Sequence, residues 1–350
     1  MKLLILTQKV DINDDLLGFM HGWIAEFAKR CDQVTVVCLE KGMFDLPPNV
    51  RVLSLGKETG KSKIKYLINF YKQIWRQREN YEAVLAHMNA EYMVLGGLIW
   101  RLLGKKTGLW YVHRQINLKL RLAEKLADVI FTASPESFKL KSAKLKIIGH
   151  GINLDKFKDN RDIGSETNFK IIYVGRISRI KNQQLLIEAI NILREKGVVN
   201  LKVDFVGRPI YQEDESYRNE LINLADKYSL NNYVNFTGSV PNKDIAEVYR
   251  RADLSVNLCP TGGLDKAVLE SMAMGLPVIV FNKAFAPLLK GSGGLILTDL
   301  SAPELADKIC ALSTAPKEEL NLIGRSLRKK IVDQYSLSDL VKKIVNQLGV

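Results

Sequence analysis

Residues 261–277 read Thr-Gly-Gly-Leu-Asp-Lys-Ala-Val-Leu-Glu-Ser-Met-Ala-Met-Gly-Leu-Pro. A glycine-rich turn opens into a helical pattern whose first turns carry Asp265, Lys266 and Glu270. Free backbone N–H groups at a helix start bind anions, and glycines ahead of it let a ligand come close. Lys266 and Glu270 lie one helical step apart and share a face. Gly275 and Pro277 end the helix before the apolar run 278–281. The unit reads as loop, helix and strand, with a phosphate-bearing ligand at the helix start. The competing reading is an ordinary connection with a charged first turn.

Residues 174–182, Val-Gly-Arg-Ile-Ser-Arg-Ile-Lys-Asn, follow a strand pattern and open a second helix. Gly175 permits a close turn. Arg176 as a planar fork and Lys181 as a point charge can bracket a diphosphate. A solvated basic turn is the alternative. This stretch resembles the Gly-Arg…Lys loop of the GT-B fold glycosyltransferases of family 4. There the Arg and Lys hold the donor diphosphate and stabilise the leaving group.

The resemblance extends over nearly the whole chain. Residues 148–157 (Ile-Gly-His-Gly-Ile-Asn-Leu-Asp-Lys-Phe) are similar to the family's interdomain segment, and residues 127–134 to one of its strands. Residues 234–240 (Val-Asn-Phe-Thr-Gly-Ser-Val) resemble the strand whose following backbone meets the nucleotide base, which brings in Ser239 and Val240. The resemblance implies a donor set of Gly175, Arg176, Lys181, Gly207, Ser239, Val240, Gly263, Leu264, Asp265, Lys266 and Glu270. Glu270 would accept hydrogen bonds from ribose hydroxyls. One position departs from the family: most members carry Glu eight residues before Glu270, and here it is Gly262. Asp265 and Lys266 are the local charged substitutes, as in a "TGG.DK..LE" variant. The departure touches the sugar contacts rather than the nucleotide site.

Earlier in the chain, His113 follows the apolar run 109–112 with Arg114 beside it. A histidine at a strand end can face a ligand, although a lone histidine is ordinarily a core residue. The resemblance puts His113 near the sugar, and with Arg176, Lys181 and Asp265 it completes the catalytic candidates. His87 ends another strand pattern, and His150 sits at the expected hinge. The loop 7–23 carries Asp11, Asp14, Asp15 and Gly18. Its aspartates could accept hydrogen bonds from acceptor hydroxyls or cap the helix that follows. Asp11, Asp15, Gly18, His113 and Arg114 form the acceptor-side candidates. No His/Asp/Glu cluster has metal-ligand spacing, and the resemblance implies no cofactor and no metal.

These residues need a scaffold, and the sequence supplies one twice. Strand patterns fall at 3–6, 34–39, 52–55, 84–87, 109–112 and 129–132, then at 170–174, 203–206, 234–236, 254–257, 278–281 and 295–298. Helical patterns separate them at 17–29, 64–78, 183–196, 217–228, 243–251, 268–274 and 303–313. Such alternation predicts α/β architecture with two doubly wound, Rossmann-like parallel sheets. The GT-B resemblance implies that the two face each other across a cleft that closes on the donor. The expected division is 1–165 for the acceptor, 166–330 for the donor, and a C-terminal helix within 331–350 packing back on the first domain. The polar stretch 158–168 is the expected link.

A chain of 350 residues with 47% hydrophobic residues can bury two cores. Cys31, Cys38, Cys259 and Cys310 are scattered and fit reduced thiols of a cytoplasmic protein. The start reads as a first strand rather than a signal peptide, and no apolar run approaches the ~20 residues that span a bilayer. The net charge of +13 is uneven: residues 1–165 hold 27 Lys and Arg against 17 Asp and Glu, the rest 24 against 21. Much of the excess lies in 57–78 and 101–146. A one-sided basic surface favours an anionic partner. The segment 61–78 is basic and amphipathic; most of its apolar stripe is expected to cover the sheet, while its Lys/Arg edge could rest on an anionic membrane at the inner face. No base-reading module is recognisable, so nucleic acid is not an expected partner.

The resemblance therefore implies a retaining, metal-independent glycosyltransferase. It would move a sugar from a nucleoside diphosphate to a hydroxyl of a glycan or lipid-linked acceptor. A nucleotide-sugar-binding protein without catalysis, and a different nucleotide-sugar enzyme on the same fold, remain as alternatives.

Overall fold

The computed structural model describes residues 1–60, 62–158, 168–291 and 295–349. Most of the expected 158–168 link lies outside the described residues. The chain forms two compact units. The first comprises Met1–Asn153, Pro241–Lys243 and Tyr335–Val350, and the second Leu154–Val240 and Asp244–Gln334.

The first unit contains β1 (Lys2–Val10), α1 (Phe19–Ala28), β2 (Gln33–Lys41), β3 (Val50–Ser54), α2 (Lys63–Arg76), β4 (Ala83–His87), α3 (Ala90–Leu102), β5 (Lys106–Trp110), α4 (Leu118–Leu126), β6 (Val129–Thr132) and β7 (Leu145–Ile147). Its sheet is parallel, in the order β3-β2-β1-β4-β5-β6-β7. The strands are near-continuous apolar runs because both faces are covered. Leu3 and Ile5 of β1 enter the core on one side and Leu4 and Leu6 the core on the other, the period-2 alternation of a strand.

The second unit contains β8 (Phe169–Val174), α5 (Gln183–Glu195), β9 (Leu201–Val206), α6 (Gln212–Lys227), β10 (Val234–Gly238), α7 (Ile245–Arg250), β11 (Leu254–Asn257), α8 (Lys266–Ala273), β12 (Val278–Val280), α9 (Ala286–Leu289), α10 (Ala302–Thr314) and α11 (Lys317–Gln334). Its parallel sheet runs β10-β9-β8-β11-β12. The last helix, α12 (Leu337–Leu348), belongs to the first unit and buries Leu340, Val341, Ile344 and Leu348 in its core. In each sheet the order reverses once, between β1 and β4 and between β8 and β11. Loops at the carboxyl ends of strands that flank such a reversal are where ligands bind in this architecture.

Several expectations change. The run 295–298 is not a ladder strand; it makes a single parallel bridge, Val280 to Ile296. β5 begins and ends earlier than 109–112, so His113 lies three residues beyond the strand rather than immediately after it. α3 has no counterpart among the expected helices, since Ala90, Tyr92, Met93, Gly96, Gly97 and Trp100 are all buried and leave little polar contrast for a 3.6-residue pattern. The apolar stripe of α2 does not mainly cover the sheet: Phe70 and Ile74 are buried, while Ile64, Leu67, Ile68, Tyr71 and Trp75 are exposed.

Candidate functional site

The loop after β8 is shaped by close backbone contacts. Gly175 has φ +153 and Gly207, at the end of β9, has φ +145. The Gly175 N–H donates to the Val206 carbonyl at 2.9 Å, and the Gly207 N–H donates to the Gly238 carbonyl at 2.8 Å. Three strand ends are thereby stitched together, and at Gly207 the approach is so close that a Cβ would stand 2.0 Å from the Gly175 carbonyl oxygen. The Arg176 carbonyl accepts from Gln183 Nε2 at 3.0 Å, and its guanidinium lies over the Tyr211 ring at 5.9 Å. Asn182, in the left-handed region at φ 53, starts α5 and donates its amide to the Leu258 carbonyl at 3.0 Å. The buried Tyr173 hydroxyl ties the two loops together: it donates to the Lys181 carbonyl at 2.5 Å and accepts from Leu258 N–H at 3.1 Å.

Across the reversal, the chain leaves β11 at Asn257 and reaches α8 through residues 258–265. Asp265 is the N-cap of α8, accepting from the Ala267 N–H at 3.1 Å through Oδ1. Its other oxygen accepts from Lys181 Nζ at 2.5 Å and from Asn257 Nδ2 at 3.0 Å. Burial alone would raise the Asp265 carboxyl, but the charge and hydrogen bond of Lys181, with the Asn257 amide, hold it below its ordinary value. Burial likewise acts to lower Lys181, and Asp265 more than offsets this, so the ammonium stays charged. The glycine turn before the helix is fixed by Asn282, whose amide donates to the Gly263 carbonyl at 3.1 Å. Gly262 has φ +111, and a Cβ there would meet nothing within 4 Å. Leu264 is buried beneath the turn.

Glu270, one turn into α8, is buried. It accepts from the Tyr249 hydroxyl at 3.4 Å and pairs with Lys266 at 3.7 Å. Burial raises its carboxyl above the ordinary range, with Lys266 and Lys156 opposing. Burial also lowers Lys266 and brings Lys156 down to about 8. An unfolded lysine titrates near about 10.4. Between about 8 and about 10.4 the unfolded chain therefore holds more protons than the folded one, and this group makes stability rise with pH across that window. Lys156→Met is expected to flatten the rise of Tm over that range, which a thermal melt series at fixed ionic strength would measure.

The second unit thus gathers Gly175, Arg176, Lys181, Gly207, Gly263, Leu264, Asp265, Lys266 and Glu270 on loops and helix starts at the carboxyl end of its sheet. Ser239 is exposed and Val240 half-buried just after β10. Asn257, Tyr173, Tyr249, Lys156 and Asn282 were not among the expected site residues. Asn257 and Asn282 carry a visible signal, a polar residue ending or following an apolar strand. Tyr173 and Tyr249 carry none, because they read as core.

In the first unit, the loop after β1 is an ion-pair network. Lys9 Nζ meets Asp14 at 2.9 Å, Glu40 at 2.9 Å and Asp11 at 3.5 Å, and Lys57 joins Glu40 at 2.9 Å. Asp14 also accepts the N–H groups of Leu16 and Leu17, at 2.9 and 2.7 Å, ahead of α1. Asp11 accepts the Asn13 N–H at 3.0 Å. Asp15 is half-buried in the same turn. A Cβ on Gly18 would stand 2.4 Å from the Asp14 carbonyl oxygen, so glycine is required there. His113 and Arg114 are exposed, and the His113 ring meets Tyr111 edge-on at 5.7 Å. His87 is buried against Phe19 and Trp23, a core position. His150 lies edge-on to Trp110 at 6.4 Å. Among the described residues, no group of three or more His, Cys, Asp or Glu could hold a metal ion.

The first-turn N–H groups of α8 are already taken by Asp265, that of Ala267 by its carboxylate and those of Val268 and Leu269 by its carbonyl. Arg176 and a charged Lys181 make a region suited to a negatively charged leaving group. Comparison with known proteins bears on what that group is. The family described as glycosyl transferases group 1 matches residues 155–329. The UDP-Gal:alpha-D-GlcNAc-diphosphoundecaprenol alpha-1,3-galactosyltransferase of Escherichia coli is 24% identical over 89% of this chain and 87% of its own length. A D-inositol 3-phosphate glycosyltransferase of Corynebacterium efficiens is 26% identical over 56% of this chain and 47% of its own. The chain spans about half the length of several of these relatives. In fold, it is similar to Anabaena Alr3699/HepE, solved with UDP and glucose, at TM-score 0.77, 18% identity and 99% coverage of both chains.

Proposed function

Because the chain belongs to the glycosyl transferases group 1 family, we propose that it is a retaining, metal-independent glycosyltransferase that uses a nucleoside-diphosphate sugar. The observation that carries this reading is Lys181, held charged by Asp265, whose carboxylate Asn257 also holds, where the strand order of the second unit reverses. During transfer the bond from the anomeric carbon to the diphosphate breaks. A bond from an acceptor hydroxyl oxygen to the same carbon forms, and the hydroxyl proton passes to the departing diphosphate oxygen. The negative charge that develops on the diphosphate is met by Lys181 and Arg176. Glu270 takes the ribose hydroxyls, and Ser239 and Val240 line the base. With Gly262 in place of a carboxylate, Asp265 and Lys266 are the charged groups left near the sugar. The first unit takes the acceptor, through Asp11, Asp15, Gly18, His113 and Arg114. The lipid-diphosphate acceptor named for the E. coli relative supports a lipid-linked or glycan hydroxyl acceptor here.

Nucleotide release from the accepted donor, followed with and without a chelator, tests the metal-free part. The rate is expected to be unchanged by chelation, and NMR of the product is expected to give the donor's own anomeric configuration. Loss of activity on chelation, or an inverted product, would overturn the corresponding part. A second reading, donor binding without transfer, is favoured by Gly262 alone; it predicts nucleotide-sugar binding with no release under any acceptor.

A further inference from the structure

α2, α3 and α4 form the layer on one face of the first sheet, and their outer side is unusual. Nine of the twenty large apolar side chains exposed among the described residues sit on these three helices, about a tenth of the chain. α2 carries two apolar stripes. Phe70 and Ile74 turn to the core, while Ile64, Ile68, Tyr71 and Trp75 recur at spacings of four, three and four and form a second stripe about a third of a turn round the helix. Ile64 is 71% exposed, Ile68 59% and Trp75 55%. By helical periodicity Lys65, Lys72 and Arg76 run along one edge of that outer stripe.

The neighbouring helices extend the surface. Tyr71 donates to the Leu95 carbonyl at 3.2 Å, which sets α3 beside α2, and α3 adds Leu102, 88% exposed. Arg101 donates to the Lys125 carbonyl at 2.9 Å and Lys119 pairs with Glu91 at 2.8 Å, which sets α4 beside α3; α4 adds Leu118, 71% exposed. The three helices hold eight Lys and Arg, all exposed, against two acidic residues, Glu91 and Glu124. Both acids are already engaged, Glu91 by Lys119 and Glu124 by the Ser142 hydroxyl at 2.8 Å. No helix among the described residues is long and apolar enough to cross a membrane.

We propose that this face docks on an anionic bilayer, with α2 lying in the interfacial plane and its outer stripe among the acyl chains. An apolar stripe flanked by lysine and arginine matches the two layers of such a surface, hydrocarbon below and negative headgroups beside it. A second copy of the chain would bring like charge against like charge. A nucleic acid would meet a face on which seven of the nine exposed large apolar side chains are aliphatic, with only Tyr71 and Trp75 to stack on. The docking does not depend on the chemistry at Lys181 and fails or stands separately from it.

Trp75 makes the test direct. The other three tryptophans, Trp23, Trp100 and Trp110, are buried, so a fluorescence shift on binding reports this face. The full chain is mixed with vesicles of phosphatidylcholine alone, or with about a third phosphatidylglycerol, and followed by sedimentation and emission. Binding and a blue shift are expected with the anionic vesicles only, weakening as salt rises. Ile64→Ser with Ile68→Ser, and separately Lys65→Glu with Lys72→Glu, are each expected to cut partitioning at least tenfold. Both leave Tm unchanged, because these side chains are exposed. No binding to anionic vesicles, or binding that both double variants retain, overturns the proposal. A blue shift that needs no vesicles and grows with protein concentration assigns the face to a second copy instead. A shift with an oligonucleotide and none with vesicles assigns it to nucleic acid.

Discussion

Lys181→Ala is expected to lower kcat/KM for sugar transfer by about two to three orders of magnitude while moving Tm by only a few degrees. The large term is lost charge stabilisation of a leaving diphosphate, of the size seen when one preorganised donor is removed from a transition state. The small term follows from what remains around Asp265. Its carboxylate keeps the Asn257 amide at 3.0 Å and the Ala267 N–H at 3.1 Å, so it is not left bare. Loss of one interaction at this half-buried site costs about 1 kcal/mol, or about 2–4 °C in a unit of this size. Lys181→Met keeps the aliphatic bulk and is expected to match the alanine variant in rate while recovering part of the Tm. Steady-state kinetics on the accepted donor, with melts of the same samples, separate the two terms. Loss of folding in step with loss of rate would make Lys181 a structural cation.

Gly207→Ala is expected to give the largest loss of stability of any single-methyl change near the site. A Cβ at 207 would stand 2.0 Å from the Gly175 carbonyl oxygen and 2.7 Å from its carbon. Those atoms are backbone and cannot swing aside, and φ +145 already disfavours a side chain. Overpacking of this kind costs about 3 kcal/mol, or about 6–12 °C in Tm. The collision also pushes the loop that carries Arg176 and Lys181, so donor binding is expected to fall together with Tm. Gly262→Ala is the matched control: its φ is +111, but a Cβ there meets nothing within 4 Å. Thermal melts of the two variants should therefore differ, with Gly262→Ala the milder. Equal losses would mean that backbone conformation, and not the contact with Gly175, dominates at both positions.

Much of this site is legible before folding because its parts are local. The Gly-Arg…Lys loop and the Gly-Gly-Leu-Asp-Lys turn each announce a strand-to-helix junction. Short apolar runs alternating with helical patterns announce the parallel sheets that aim both loops one way. What is not legible is the pairing. Lys181 and Asp265 are 84 residues apart, and only the reversal between β8 and β11 brings them together. Tyr173 reads as a core residue of an apolar strand, yet its hydroxyl joins the two loops. In sequence the aspartates of the first loop read equally as acceptors for a ligand or as caps of the helix that follows; folding puts Lys9 against Asp11 and Asp14 and engages Asp14 with the Leu16 and Leu17 N–H groups ahead of α1. α2 misleads for a different reason. Its pattern contains two apolar stripes, and periodicity alone cannot say which one the sheet covers.

The proposed nucleoside-diphosphate sugar site rests on Arg176 and Lys181. Melting of the full chain with UDP-, GDP-, ADP- and TDP-sugars, in parallel with an Arg176→Ala/Lys181→Ala double variant, tests it most directly. A ligand that binds only the folded state raises Tm by mass action, by about 2.7 kcal/mol of stability at a hundredfold excess over Kd. One donor class is expected to raise the Tm of the natural chain and to leave the double variant unmoved. A rise of equal size in both, or no rise with any donor, would contradict the site.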